Sequence, residues 1–231
     1  MLNSIQINPD PVLFGDIPGL AESSARVVLM LRHSTRESLR GFSPDPELTQ
    51  EGKVLARRSG ELLSGLGDVS FGASPRQRTR ETARCMIEGG GFRTQDIHDS
   101  PELGDMIIFT RPTNYFFLRV CAMFHMNRME NVMREYFTTG HVKGLKDMRP
   151  LATQILKYLT ETTFNSSRTV FVSHDVLAMT VLMALGVRTF TIDDWCGYMH
   201  GVLLTQDRSG VWTAAYALPD YDEGKKQRLF V

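Results

Sequence analysis

A continuous apolar run, Val27 to Leu31, ends abruptly at Arg32 and His33, and this junction limits the possible folds more than any other segment. An apolar run without alternating polar residues is typical of a strand buried on both faces of a parallel sheet. Two more strand-like runs occur at residues 69–74 and 169–172, and a helical pattern comes after each of them. This alternation predicts a three-layer α/β/α sandwich with a mostly parallel central sheet.

Local signals place the helices and one hairpin. Thr49 is a suitable N-cap for a helix that starts after Leu48, and Gly186 is a suitable C-terminal stop for another. Glycines at 89–91 end a helical stretch that begins near Pro75. The remaining predictions are a helix over residues 147–160, a helix over 176–185, and a hairpin of residues 201–204 and 211–217.

The chain of 231 residues, 42% of them hydrophobic, is long enough to bury one large core. We therefore predict one domain, residues 25–231, preceded by a loop-like N-terminal arm over residues 1–24. A segment at about 105–146 does not fit the alternation, and we interpret it as a helical cap insertion. Most of its apolar side chains are expected to pack on the core, and the rest to cover the substrate. These apolar residues are Phe109, Tyr115, Phe116, Phe117, Met123, Phe124, Met126, Met129, Met133, Tyr136 and Phe137.

The composition excludes several classes of partner. Lysine plus arginine and aspartate plus glutamate number 26 each, so no overall field attracts nucleic acid or an anionic membrane. No apolar run approaches the roughly 20 residues that span a bilayer, and the N-terminal residues do not resemble a secretion signal. Three scattered cysteines, Cys85, Cys121 and Cys196, predict neither disulfides nor a zinc site. We therefore expect a cytoplasmic protein, and no particular oligomeric state is predicted.

Polar residues follow each of three predicted strands. They are Arg32 and His33, then Ser74 with Arg78 in the turn beyond, and finally His174 with Asp175. Ligands of open α/β sheets bind at the carboxyl ends of the strands, so we expect these residues to meet in one crevice. The guanidinium group of arginine donates paired hydrogen bonds to phosphate oxygens, and a neutral imidazole is a competent nucleophile near pH 7. The pattern predicts phosphoryl transfer, with a carboxylic acid to protonate the leaving group.

Four short motifs, in the same order, resemble the histidine phosphatase superfamily, also called phosphoglycerate-mutase-like. The segment VVLMLRHSTRES is similar to the first motif, Arg-His-Gly after an apolar strand, and LTQEGKVLARRSGELL is similar to the helix that follows. ASPRQRTRETA matches Ser-Pro-x-x-Arg-x-x-x-Thr-Ala, and FVSHD matches the strand that ends in the second histidine. Together they cover most of the chain, from about Arg26 to Ala217.

The resemblance implies a metal-independent phosphomonoester hydrolase that forms a phosphohistidine on His33. It also implies that Arg32, Arg78 and His174 bind the phosphoryl group, and that no cofactor or metal takes part. Arg36 falls where the acid-phosphatase branch has its second arginine, which makes it a further phosphate-binding candidate. The substrate is expected to be a small-molecule phosphate ester, with neither nucleic acid nor membrane as a partner.

Two positions leave alternatives open. Ser34 replaces the glycine of the first motif, so its Cβ could alter the loop or its hydroxyl could supply a donor. The general acid is either Asp175, which follows His174 as in the acid-phosphatase branch, or Asp105, near where the mutase branch has its acid. We favour Asp175 slightly here, although it is equally suited to cap the helix that follows.

The remaining basic residues have simpler interpretations. Arg76 and Arg80 are expected on a solvated helix face. The other histidines, of which His200 is the best pocket candidate, are expected to be structural or on the surface: His98, His125, His141 and His200. Two alternative functions are a mutase that returns the phosphoryl group to another hydroxyl, and a catalytically weak module that binds a phospholigand.

Overall fold

The computed structural model describes residues 2–37, 45–94, 96–111, 113–114, 126–162 and 164–220, with the backbone alone at 126–129. The strands are β1 (Gln6–Ile7), β2 (Val12–Leu13), β3 (Arg26–Arg32), β4 (Ser70–Ala73), β5 (Ile97–Asp99), β6 (Arg168–Ser173), β7 (Gly201–Gln206) and β8 (Trp212–Leu218). The α-helices are α1 (Ile17–Ser23), α2 (Gln50–Leu62), α3 (Gln77–Gly90), α4 (Met126–Thr139), α5 (Met148–Glu161) and α6 (Asp175–Leu185).

All eight described strands form one sheet, in the order β1-β8-β7-β3-β6-β4-β5, and β2 also pairs with β8. Strands β3, β6, β4 and β5 pair in parallel with one another, whereas β7 runs antiparallel to both β3 and β8. The predicted hairpin is therefore confirmed, and it continues the sheet beyond β3. The prediction of a mostly parallel sheet is confirmed as well.

Each face of the sheet is covered by helices, as the apolar run of β3 requires. Val28 and Met30 belong to a core shared with α4, α5 and α6. Val27, Leu29 and Leu31 point to the opposite face and belong to a core shared with α1, α2 and α3. Because successive side chains of a strand alternate between faces, one apolar strand can supply both cores. The predicted three-layer sandwich is confirmed.

The predicted helix boundaries coincide with caps in the structure. The Thr49 hydroxyl accepts a hydrogen bond of 3.0 Å from the amide of Gly52 at the start of α2. Gly91 and Gly186 end α3 and α6 in the left-handed conformation, with φ of 62° and 80°. Glycine adopts that conformation without the steric cost of a Cβ, so the sequence marks these ends clearly.

The N-terminal arm is not a loop, and that part of the prediction was wrong. Strands β1 and β2 both pair with β8, and helix α1 follows with Pro18 in its first turn. Strands of two residues are too short to show an alternating pattern, and proline in a first helical turn removes no hydrogen bond. The pairing partner lies about two hundred residues later in the chain, where local sequence gives no indication of it.

The described part of the cap segment packs as expected. Met133, Tyr136 and Phe137 of α4 are buried in the core that α4 shares with α5 and α6. The other aromatic and methionine residues of this prediction, apart from Phe109, lie outside the described residues or have undescribed side chains, as do Cys121 and His125. Among the helices that the structure describes, none combines the length and the apolar character needed to cross a membrane.

Candidate active site

The polar residues that follow β3 and β6 line one pocket of about 210 Å³ together with Arg78, and Ser74 contacts it through His174. Strands β3, β4 and β6 are parallel neighbours, so their carboxyl ends open at the same edge of the sheet. Every site residue predicted from the sequence lines this pocket: Arg32, His33, Arg36, Arg78, Asp105, His174 and Asp175. The expected convergence is therefore confirmed as a matter of geometry.

His33 leaves β3 in a fixed orientation. Its side chain is 4% exposed, and its backbone amide donates a hydrogen bond of 3.0 Å to the carbonyl of Ser173 at the end of β6. The ring atom Nδ1 lies 2.7 Å from the carbonyl oxygen of Ser34. A carbonyl oxygen only accepts, so Nδ1 carries the proton and Nε2 has a free lone pair.

The charge state of His33 agrees with that arrangement. Burial, followed by the neighbouring Arg78, His174 and Arg32, lowers the pKa of His33 well below its ordinary value of 6.5. The ring is therefore neutral at physiological pH. A neutral imidazole with a free Nε2 is a nucleophile.

His174 takes the opposite tautomer. Nη2 of Arg78 lies 3.2 Å from its Nδ1, and a guanidinium nitrogen only donates, so Nδ1 accepts and Nε2 carries the proton. Nε2 then donates to the Ser74 hydroxyl at 2.9 Å. Burial lowers the pKa of His174 to about 4, with Asp105 opposing the shift and Arg78 adding to it. The rings of His174 and His33 are 5.7 Å apart between centroids.

Arg78 is held between two carboxylates. Its Nη1 donates to Asp45 at 2.9 Å, and its Nη2 donates to Asp105 at 3.2 Å. Asp105 also accepts from Arg76, at 3.0 Å from Nη2 and 3.2 Å from Nε. Burial acts to raise the pKa of Asp105, but interaction with His174 and the two arginines outweighs it, and the pKa is lowered. Asp105 is therefore ionised in this state of the pocket.

Arg32 is oriented from three sides. Nη1 donates to the carbonyl of Cys196 at 2.6 Å, Nη2 is 3.3 Å from a carboxylate oxygen of Asp175, and the guanidinium lies 3.9 Å above the ring centre of Tyr198. A planar guanidinium held by a carbonyl, a carboxylate and an aromatic face loses little freedom when it binds a phosphate. We infer that these contacts preorganise Arg32.

Asp175 forms more contacts than a helix cap needs. One carboxylate oxygen accepts from the amide of Val176 at 2.8 Å, and the other accepts from the indole of Trp195 at 2.9 Å as well as pairing with Arg32. Burial acts to raise its pKa, but Arg32 and the hydrogen bonds outweigh burial and lower it. The N-cap residue of α6 is His174, not Asp175.

Ser34 uses its hydroxyl for packing. The hydroxyl donates to the carbonyl of Gly52 at 2.7 Å, and the backbone amide donates to the Thr82 hydroxyl at 3.1 Å. These bonds fasten the turn after β3 to helices α2 and α3. The hydroxyl is thus a donor to a backbone carbonyl, and its contribution to phosphate binding stays a prediction.

One sequence prediction fails near the site. Arg76 was expected on a solvated helix face, but its side chain is 22% exposed and pairs with Asp105. The contact joins residues 29 positions apart, which no helical periodicity could indicate. Arg80, by contrast, pairs with Asp99 at the surface.

The described histidines outside the site have structural surroundings. His98 stacks on Phe164, with 4.0 Å between ring centroids, and His141 is paired with Asp147 at the surface. His200 is half-buried beside Tyr216 and is not among the described residues that line the pocket. Burial, with Arg32 and Arg188, lowers the pKa of His200 to about 4.

Some contacts that support the site were not predicted from the sequence, although Ser74 itself was expected at the crevice. The Ser74 hydroxyl accepts a hydrogen bond from Nε2 of His174. Arg32 is held by the Tyr198 ring and the Cys196 carbonyl, and Asp175 accepts a hydrogen bond from the Trp195 indole. Ser74 belongs to a recognised motif, so its position at a strand end could have suggested the role. The stretch from 190 to 200 matches no motif, and only the folded structure brings it to the pocket.

A comparison with family models addresses the resemblance directly. Residues 28–110 match the model of the histidine phosphatase superfamily (branch 1). The resemblance to the histidine phosphatase superfamily is confirmed. The matched range contains Arg32, His33, Arg36, Arg78 and Asp105, and ends well before His174. A search of curated proteins with this sequence found no match.

Solved structures extend the similarity to the fold of most of the chain. A mycobacterial glucosyl-3-phosphoglycerate phosphatase in complex with inorganic phosphate is 15% identical, with a TM-score of 0.53 over 85% of this chain and 97% of that one. A phosphoglycerate mutase from Bacillus anthracis is 16% identical, with a TM-score of 0.51 over 84% and 94%. At such identity the likeness shows that the chain shares the fold of these proteins.

Proposed function

We propose that the protein hydrolyses phosphate monoesters without a metal, through a phosphohistidine on His33. The observation that carries the proposal is the hydrogen bond from Nδ1 of His33 to the Ser34 carbonyl. That bond fixes the tautomer whose Nε2 can attack phosphorus. Burial keeps the ring neutral, so no proton must leave before the attack.

The groups around His33 suit the charge of the transferring phosphoryl group. Arg32 and Arg78 supply guanidinium donors, and both line the pocket beside His33. Donors that are already oriented stabilise charge that develops in the transition state, because no reorganisation is needed. Among the described residues no group of three or more metal-ligating side chains is found, and the guanidiniums would take the role that a metal has in other phosphoryl-transfer enzymes.

The reaction then takes two steps. Nε2 of His33 forms a bond to phosphorus as the bond from phosphorus to the ester oxygen breaks, and the departing oxygen receives a proton from a carboxylic acid. Water next attacks phosphorus, the bond to Nε2 breaks, and inorganic phosphate leaves. The carboxylate that donated the first proton accepts one from this water.

We assign the proton donor to Asp105, in preference to Asp175. Arg76 and Arg78 hold Asp105 in its ionised form. Arg78 would also bind the phosphate. A phosphate dianion beside Asp105 would compete with it for Arg78 and would place further negative charge near its carboxylate. Both effects raise the pKa of a carboxyl group. Asp175 pairs with Arg32, but it also accepts hydrogen bonds from the Val176 amide and the Trp195 indole, which are not phosphate-binding groups and which favour its ionised form. Its suggested role is to orient Arg32.

Turnover of p-nitrophenyl phosphate in excess chelator tests the proposal. We expect release of inorganic phosphate at an unchanged rate after chelation, since the proposed chemistry uses side chains alone. Loss of activity that returns with added magnesium or zinc would contradict the metal-free mechanism. Phosphate binding without any turnover would instead favour a phospholigand-binding module.

A further inference from the structure

The pocket is lined by charged and histidine residues and by a set of apolar residues. Beyond the charged and histidine residues, every described residue that lines it is apolar: Ile108, Phe109, Val132, Met133, Leu145, Val176 and Leu177. We call these seven residues the apolar wall. It lies in the same pocket as His33 and Arg78, so it is available to contact the part of a substrate that departs when the phosphoryl group is transferred.

The wall is built from separate parts of the chain that are tied together. Phe109 and Leu145 form a backbone bridge, and the amide of Lys146 donates to the carbonyl of Ile108 at 2.7 Å. Val132 and Met133 come from helix α4, and Val176 and Leu177 come from the first turn of α6. Ile108, Met133, Leu145 and Leu177 are also members of the core. The wall is therefore a fixed surface of the fold.

Such a surface discriminates between leaving groups by their polarity. Each methylene group moved from water onto an apolar surface strengthens binding by about fourfold. A hydroxyl group that loses water without gaining a hydrogen-bond partner weakens binding by roughly 5- to 150-fold. The pocket of about 210 Å³ compares with an apolar cavity of about 150 Å³ that accommodates benzene. It therefore has room for a small group beside the phosphoryl site.

We propose that the protein acts on phosphate monoesters of apolar alcohols, with a leaving group up to about the size of one ring, in preference to sugar phosphates. The inference rests on the proposed phosphatase activity, because it concerns the leaving group of that reaction. The charged residues of the pocket recognise the phosphoryl group of any monoester. The apolar wall selects among monoesters.

A matched pair of substrates tests this preference. Cyclohexylmethyl phosphate and glucose 6-phosphate each carry a six-membered ring on a primary phosphate ester, and they differ mainly in the ring oxygen and hydroxyl groups. We expect kcat/KM to be at least about 30-fold higher for cyclohexylmethyl phosphate, since several hydroxyl groups would lose water against the wall. p-Nitrophenyl phosphate, which has a good leaving group, serves as the common reference.

A polar substitution in the wall should weaken the preference. Val132→Thr replaces a methyl group by a hydroxyl at nearly constant shape, and we expect the ratio of the two kcat/KM values to fall at least about threefold. Val54→Thr is the matched control, because Val54 is 55% exposed on α2 and does not line the pocket. The control should leave the ratio unchanged.

The possible outcomes separate the two proposals. Equal kcat/KM for the two ring esters, or a preference for glucose 6-phosphate, would overturn the inference while leaving the phosphatase activity in place. Turnover of p-nitrophenyl phosphate alone would also overturn it. If the ratio of kcat/KM for cyclohexylmethyl phosphate to that for glucose 6-phosphate were the same in Val132→Thr as in Val54→Thr, the apolar wall would not be the cause of the preference. Absence of turnover with all three esters would contradict the phosphatase function itself.

Discussion

The Nδ1 atom of His33 lies 2.7 Å from the carbonyl oxygen of Ser34, the next residue in the chain. His174 shows the reverse arrangement, with its Nδ1 accepting from Arg78 and its Nε2 donating to Ser74. The two rings of the pocket are therefore held as different tautomers. His33 has a free lone pair on Nε2, and both ring nitrogens of His174 are held in a hydrogen-bonded network beside the proposed phosphoryl site.

The Ser34 hydroxyl should contribute to stability rather than to turnover. Ser34→Ala removes the bond to the Gly52 carbonyl, and we expect the free energy of unfolding to fall by about 1–2 kcal/mol because a buried acceptor loses its donor. Urea unfolding measures this change. kcat/KM should stay within a few fold of the parent, and a loss of a hundredfold would place the hydroxyl on the phosphate.

Ser74 should act through His174. Ser74→Ala removes the acceptor of the Nε2 proton, and we expect kcat/KM to fall about tenfold, as for other residues that orient a functional histidine. Ser173→Ala is a suitable control, because that hydroxyl is buried and donates to the Leu103 carbonyl without contacting a histidine ring. Equal effects of the two substitutions on kcat/KM would argue that Ser74 only supports packing.

The proton donor can be identified by how strongly the rate of each variant depends on the leaving group of the substrate. Asp105→Asn should slow alkyl phosphates by 10²- to 10⁴-fold, roughly the contribution of a general acid, and p-nitrophenyl phosphate far less. Asp175→Asn should slow both substrates alike, since the proposed work of Asp175 is to orient Arg32. The reverse pattern would assign the proton donor to Asp175.

Two histidines with lowered pKa values should make the free energy of unfolding depend on pH. His174 and His200 have pKa values lowered to about 4 in the folded protein, mainly by burial, against 6.5 for an exposed histidine. As pH falls from about 6.5 to 4, the unfolded chain takes up protons that the folded protein does not, so the free energy of unfolding decreases.

Urea unfolding at pH 7, 6 and 5 measures the size of this effect. The expected slope approaches about 1.4 kcal/mol per pH unit for each histidine. His200→Gln removes one of these groups outside the pocket and should reduce the slope. An unchanged slope in that variant would show that His200 titrates normally.

Features that depend on neighbouring residues were predictable from the sequence. The cap at Thr49 and the glycine stops at Gly91 and Gly186 each involve groups within a few residues of one another. The strand ends at His33 and His174 were predictable because a parallel sheet brings its carboxyl ends to one edge. That rule is general, so it needs no knowledge of side-chain contacts.

Features that join distant segments were not predictable. Arg76 is bound to Asp105, and Trp195 holds Asp175 from a stretch without a motif. The pairing of β1 and β2 with β8 is likewise a contact across nearly the whole chain. Periodicity reports which face of an element is apolar, and it contains no information about which polar group a side chain will meet there.

Direct trapping of the intermediate tests the central claim. Rapid quenching under acid-free conditions with labelled substrate should yield a phosphoramidate on the peptide that contains His33, stable to base and labile to acid. His33→Ala should abolish both label and turnover, and His174→Ala should reduce turnover by roughly 10²- to 10³-fold with the label still on His33. Label on His174, or near-normal turnover by His33→Ala, would contradict the assignment of His33 as the nucleophile.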